Sequence, residues 1–278
     1  MSARASARLL RALVYAGAAL TAGVFVFVVG YILVKGVVQL KPGLFARTYN
    51  SVNVSLLPAL VNTLLMTGLS LLFAVPVGVG AAIWLVEYAR RGSVLVRLVR
   101  VTAETLSGVP SILYGLFGAL CFVTALHMGL SLLAGALTLA VMILPLVMRT
   151  TEEALLAVPD AYREGSFGLG AGRLRTTLRV VLPSAAPGIL AGVILGVGRI
   201  VGETAALIYT AGTVPETATR LTDSARTLSV HMYALSSEGL HLGETYATAV
   251  VLLLLVAGIN ALSSLLFKRL GGTGHGKN

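Results

Sequence analysis

Six apolar stretches, at approximately residues 12 to 34, 58 to 86, 103 to 126, 130 to 148, 185 to 210 and 246 to 267, constrain this chain more than any other feature. About 20 predominantly apolar residues suffice for a helix to cross a hydrocarbon layer of about 30 Å. Inside that layer water pairs with no backbone N–H or C=O, so each crossing segment must satisfy its own groups as a helix. Composition agrees: 56% of the residues are hydrophobic and 12% charged, whereas an ordinary soluble domain is about a quarter charged. The expectation is an all-α integral membrane protein with about six transmembrane helices, forming one membrane domain over residues 1–278. Although Ala16, Ala18 and Ala19 are small, more than ten apolar residues follow them, too many for a cleaved secretory signal. Cys121 is the single cysteine, so there is no intrachain disulfide framework and no all-cysteine metal site.

The net charge of +10 is distributed as membrane topology requires, and this distribution favours a lipid partner over nucleic acid. Arg4, Arg8 and Arg11 precede the first stretch, which places the N-terminus in the cytoplasm. Threading outward from there puts fifteen of the 21 basic residues inside. They are those three, Arg90, Arg91, Arg97 and Arg100, Arg149, Arg163, Arg173, Arg175 and Arg179, and Lys268, Arg269 and Lys277. Lys35, Lys41, Arg47, Arg220 and Arg226 fall outside, and Arg199 lies within a span. Five or seven spans would put the arginines of 149–179 or the Lys268–Arg269 pair on the wrong side, so both termini are expected in the cytoplasm. Two long loops remain, 149–184 inside and 212–244 outside.

The inner loop carries the most specific pattern. Pro159 and Asp160 suit a helix start, because proline fits the first turn and a carboxylate there meets the positive end of the helix dipole. Gly170 suits a left-handed stop, after which Arg173 to Val181 begins a second helix that Pro183 interrupts or bends. A short helix, a glycine turn and a second helix make a rigid knob shaped for a groove on another protein. Glu164-Gly165-Ser166, three residues, Gly170, nine residues, Val180, one residue and Leu182-Pro183 resemble the EAA loop of ABC importer permeases. Gly165 and Ser166 stand where that pattern has two alanines, and Val180 where it has isoleucine. The resemblance implies a type I importer permease fold whose loop sits in a groove of an ATPase subunit. A basic loop that merely stabilises topology is the plainer alternative.

No ATP site is expected in this chain. Gly271, Gly276 and Lys277 mimic the start of a phosphate-binding loop, but Asn278 follows where Ser or Thr is needed and no helix comes after it. Cofactors are therefore none here, with ATP and magnesium assigned to partner ATPase subunits. Catalysis is likewise assigned elsewhere, since the four histidines are scattered and His127, His231 and His241 read as loop residues without metal-ligand spacing.

Within the fifth stretch, Arg199 lies about 18 Å along a helix starting near Pro187, close to mid-membrane. A charge at that depth costs about 2.5–3.5 kcal/mol on insertion scales, so it needs a partner or a wet cavity. Glu203 follows at i+4 and is the expected partner, on a face shared with Gly192 and Gly196. Pinning of helix packing and service to an anion path both fit this pair. Gly202-Glu203-Thr204-Ala205, Ser107-Gly108-Val109-Pro110-Ser111-Ile112 with Gly115-Leu116-Phe117, and Arg149-Thr150-Thr151-Glu152 resemble stretches of phosphate permeases of the PstA type. That resemblance implies phosphate as substrate, a bacterial cytoplasmic membrane, a second related permease, two ATP-binding subunits and an external phosphate-binding protein. It makes Arg199, Glu203 and Arg149 translocation-path candidates, although a basic residue at the position of Arg149 is expected from topology alone. An importer of another oxyanion or small solute fits the EAA-like loop equally. A secondary transporter fits less well, since its coupling residues and internal repeat are not apparent.

Overall fold

The computed structural model describes residues 3–90 and 92–271, and every regular element among them is helical. In chain order these are α1 (Ala3–Val37), α2 (Leu57–Ile83), α3 (Val94–Ser107), α4 (Ser111–Gly118), α5 (Leu132–Leu156), α6 (Asp160–Gly168), α7 (Arg173–Thr176), α8 (Leu182–Val201), α9 (Ala205–Thr210), α10 (Leu228–Glu238) and α11 (Leu242–Gly271). π-helical turns extend α2 to Tyr88 and α4 to Ala125, and a third joins α7 to α8 over Thr177–Val181. Five segments are long and apolar enough to cross a membrane: Leu10–Val37, Leu57–Tyr88, Leu132–Leu156, Arg173–Val201 and Leu242–Leu262. The sixth is a broken pair, α3 with the helix from Ser111 to Ala125, bent by 104°.

The core is built on α2 against α5. Met66, Leu139, Met142, Ile143 and Val147 are fully or almost fully buried there, and Gly78 brings α2 close to Val147. Polar residues on this seam satisfy themselves locally, since Thr63, Thr67 and Ser70 each donate to the carbonyl four residues back at 2.7 Å. α8 runs antiparallel to α5 through small residues: Gly188 faces Ala154, Gly192 faces Thr150, and Gly196 faces Ile143 and Val147. α1 lies outside this core against α11, where Gly36 meets the Tyr246 backbone and Tyr31 packs edge-on to Tyr246.

These contacts sort the chain by end. Glu87 at the close of α2, Leu155 at the close of α5, and α6 meet at the arginine-rich end. Leu56, Ser131, Thr210 and Leu228 gather at the opposite end. The long 212–227 segment is fixed there by Asn62 of α2, whose amide donates to the Glu216 and Arg226 carbonyls and accepts from Ala218 N–H.

Several boundaries differ from expectation. The third span begins at Val94 rather than near 103 and breaks at Gly108-Val109-Pro110. Proline supplies no N–H and disfavours helical backbone at the residue before it, so a straight helix cannot run through this site. The fourth span continues eight residues past 148, so Arg149 sits two turns inside α5 rather than at its end. The fifth breaks at Gly202-Glu203-Thr204 before α9. Pro183 does not interrupt the helix after Arg173; it lies in the first turn of α8, after the π-helical turn. His231 is a buried residue of α10, not a loop residue. Gly276, Lys277 and Asn278 lie outside the described residues.

Candidate functional site

The EAA-like loop folds as a knob at the arginine-rich end. Pro159 stands just before α6, Asp160 opens it, and Gly170 turns the chain with φ of +82°, a left-handed conformation that glycine adopts without strain. Ser166 and Thr176 share a 2.8 Å hydrogen bond across that turn. Glu164 and Gly165 are exposed, while Leu182 packs partly against the cluster containing Leu155 and Val181. α6 contributes no buried residue and carries Tyr162, Phe167 and the adjoining Leu169 at its surface, the last 91% exposed. It is an apolar and acidic surface that the other described residues leave uncovered.

Behind the knob stands a saturated arginine. Arg163 donates from Nε and Nη2 to Glu87 Oε1 at 3.1 and 2.8 Å, and from Nη1 and Nη2 to the Val158 and Leu155 carbonyls at 2.8 and 2.9 Å. Asp160 lies 3.3 Å from Nη1. A second ion pair, Arg100 to Glu152 at 2.6 Å, ties α3 to α5. Neither pair was anticipated from sequence, although an acidic residue inside an apolar run is itself the signal that a partner exists. Arg149 reaches Glu153 on its own helix at 3.2 Å, with both side chains more than half exposed. A small cavity of about 210 Å³, lined by Arg100, Glu104, Met148, Arg149, Glu152 and Glu153, separates α3 from this stretch of α5.

The other candidate region is the meeting of two helix breaks. α4 and α9 pack side by side so closely that a Cβ on Gly115 would come within 2.7 Å of the Ala206 Cα. Tyr114 Oη spans the first break, donating to the Leu106 carbonyl at 2.7 Å. At the second, the Glu203 carboxylate accepts from Ala206 N–H at 3.1 Å and so caps α9, while its carbonyl accepts from Ser229 Oγ. Glu203 is buried, at 8% exposure. The ion pair expected between Glu203 and Arg199 is therefore absent: the helix ends between them, and the carboxylate turns toward α9. Arg199 is half-buried in the last turn of α8 and has no ion-pair or hydrogen-bond partner among the described residues. One turn beyond Gly196, which faces Ile143 and Val147, it stands level with the middle of α5. The carboxylate expected to pair with it is engaged elsewhere. No group of three or more metal-ligating side chains occurs among the described residues.

Residues 74–272 match the family described as binding-protein-dependent transport system inner membrane component. Over 238 residues the chain is 35% identical to a probable ABC transporter permease protein, YqgI, of Bacillus subtilis, covering 80% of this chain and 81% of that one. It is 35% identical over 205 residues to the phosphate transport system permease protein PstA of Mycobacterium leprae, covering 73% and 67%. The phosphate transport system permease protein PstA 1 of Mycobacterium tuberculosis is 40% identical over 154 residues, a match spanning 55% of this chain and half of that one. Among solved structures, a chain of a bacterial ABC transporter for import of the acidic polysaccharide alginate superposes with a TM-score of 0.65 at 18% identity, over 94% of this chain and 98% of that one. A chain of the MetNI methionine ABC transporter, in an inward-facing conformation, gives 0.62 at 22% identity, over 75% and 93%. The fold is that of an ABC importer permease, and by the extent of the family match this chain belongs to the binding-protein-dependent transport system inner membrane components.

Proposed function

We propose that the chain is a membrane permease that carries inorganic phosphate through the bacterial cytoplasmic membrane, driven by ATP hydrolysis on partner subunits. The observation that carries the reading is Arg199, a cation in the last turn of α8 beside the helix breaks and level with the middle of α5, with no carboxylate neutralising it among the described residues. A charge so placed must face water, a substrate or another chain rather than lipid. Broken helices at the membrane midplane are a recurring way of building a transport path, because backbone irregularity is tolerated where it lines a cavity. Similarity to permeases named for phosphate supports an anion as the passenger.

The complex completes the work. A second, related permease forms the other wall of the path, two ATP-binding subunits hold ATP and magnesium, and an external phosphate-binding protein delivers the solute. α6, with Glu164, Gly165 and Ser166, seats in the ATPase subunit, and Gly170, Leu182 and Pro183 fix its angle to α8. Residues 149–184 and both termini lie in the cytoplasm, as the distribution of arginines requires. Arg149 belongs to the path's inner mouth.

Since Glu203 does not depend on Arg199, Arg199→Gln removes the charge without orphaning a carboxylate. In the assembled transporter, phosphate uptake should fall by about tenfold or more, equivalent to losing about 1.4 kcal/mol or more of transition-state interaction. Glu203→Gln in the same background should add little to that loss in uptake. Full-rate phosphate uptake by an assembled Arg199→Gln complex would remove Arg199 from the path. Uptake of sulfate or molybdate but not phosphate by the unaltered complex would reassign the substrate.

A further inference from the structure

We propose that the Arg163–Glu87 pair is the strut that transmits motion of α6 into the membrane domain, which makes both of them positioning residues for transport. The inference rests on the reading of α6 as the ATPase-docking element. α6 has no buried residue, so apolar packing does little to hold it to the body of the protein. On one side it borders a cavity of about 750 Å³, shared with Leu85, Tyr88, Val96 and Arg173. Its ties are polar and lie at two points. Ser166 joins it to Thr176 of α7, and Arg163 joins it to Glu87 and to the Leu155 and Val158 carbonyls.

The geometry of Arg163 suits force transmission better than surface stabilisation. Its side chain is 14% exposed and that of Glu87 7%, so water screens the pair little. Both guanidinium edges are used: two donors grip Glu87 at the end of α2, and two grip carbonyls at and just beyond the end of α5. A planar guanidinium held at four points resists rotation in a way that a single ammonium contact does not. α2 and α5 are the two helices that build the core. Any displacement of α6 must therefore carry the arginine-rich ends of both core helices with it, or break a buried ion pair. Glu87 also sits on a π-helical turn, Trp84–Tyr88, whose wider winding sets this end of α2 apart from the regular helix before it. Without the strut, α6 would be tied to α5 and α7 only through the short links at 157–159 and at Gly170, and could tilt while the membrane helices stayed in place.

The test uses the full transporter in proteoliposomes and measures radiolabelled inorganic phosphate uptake and ATP hydrolysis together, per assembled complex. Glu87→Gln and Arg163→Lys should lower phosphate carried per ATP hydrolysed about fivefold or more, with hydrolysis itself within about twofold of the unaltered complex. A merely structural pair would lower the amount of complex and leave that ratio unchanged. Because a lone buried charge can prevent assembly, the double variant Glu87→Leu with Arg163→Met removes both charges at similar volume, an exchange that buried ion pairs often tolerate. It should assemble and be uncoupled in the same way. An unchanged ratio in the double variant overturns the strut. Cross-linking of a cysteine at position 164 to the ATPase subunit tests the docking reading separately. If that link fails, docking through α6 is wrong and the strut falls with it; if the link forms while the ratio in the double variant is unchanged, only the strut is overturned.

Discussion

Glu203 shows how one carboxylate in an apolar setting decides the local backbone. A chain leaving α8 at Gly202 exposes the first N–H groups of α9 in a low-dielectric interior, where an unpaired one costs about 1–3 kcal/mol. The Glu203 carboxylate removes part of that cost by accepting from Ala206 N–H. Glu203→Ala should therefore lower stability by about 1–3 kcal/mol, read as a reduced midpoint in thermal unfolding of the detergent-solubilised protein. Glu203→Gln, which keeps a carbonyl acceptor, should lose less than half as much. His231 makes a different residue-scale prediction. Burial in α10, with the nearby Arg226 guanidinium adding to it, pushes its pKa down to about 4 from the ordinary value near 6.5. The native state thus binds the proton less readily than the unfolded chain, so the contribution of this site is complete above about pH 6.5 and is lost progressively as pH falls toward about 4. Protection of the α10 amides, taken relative to their intrinsic exchange rate at each pH, should fall between pH 7 and pH 5, and His231→Gln should flatten that response.

The seam between α4 and its neighbours is the element on which the broken span depends. A Cβ on Gly118 would overlap Thr138 Oγ1 and come within 2.7 Å of Thr210 Cγ2, so α4 reaches α5 and α9 only because no side chain stands there. Gly118→Ala should destabilise the fold by about 1–3 kcal/mol through overpacking. Thr138→Ala in the same chain should recover part of the loss, because it removes two of the three atoms in the way. Chemical denaturation of the single and double variants measures both. Elements specified locally were legible in advance: Pro159, Asp160 and Gly170 placed α6 and its turn to within a residue. The break at Gly202 was not, because a glycine inside an apolar run is common in membrane helices that continue unbroken. What ends α8 there is tertiary, since Ser229 from α10 binds the Glu203 carbonyl across 26 residues. That Arg199 has no carboxylate partner among the described residues was hidden for the same reason, its expected partner having been drawn to α9 by a break that sequence spacing does not announce.

At the scale of the whole molecule, the parity of membrane crossings hangs on the bent pair. If α3 and α4 formed a re-entrant hairpin, the loop at 126–131 would return to the arginine-rich end, and every later helix would run the other way. The contacts exclude that arrangement within the fold. Arg100 of α3 reaches Glu152 near the close of α5, whereas Ser131 and Leu132 at its start bond to the Thr210 and Asp223 carbonyls at the opposite end. The 104° bend places much of α3 across the direction of α4, which suits its composition, with Arg97, Arg100 and Glu104 on the same helix as exposed Leu95, Leu98 and Val101. Cysteines introduced singly at His127 and Gly172, both exposed, in a Cys121→Ala background should then label from opposite sides of intact cells. Position 127 should react with a membrane-impermeant maleimide added outside, and position 172 only after the membrane is opened. The reverse pattern, position 172 reacting from outside and position 127 only after the membrane is opened, would make the pair re-entrant with the N-terminus inside, leaving five crossings and the coupling knob outside.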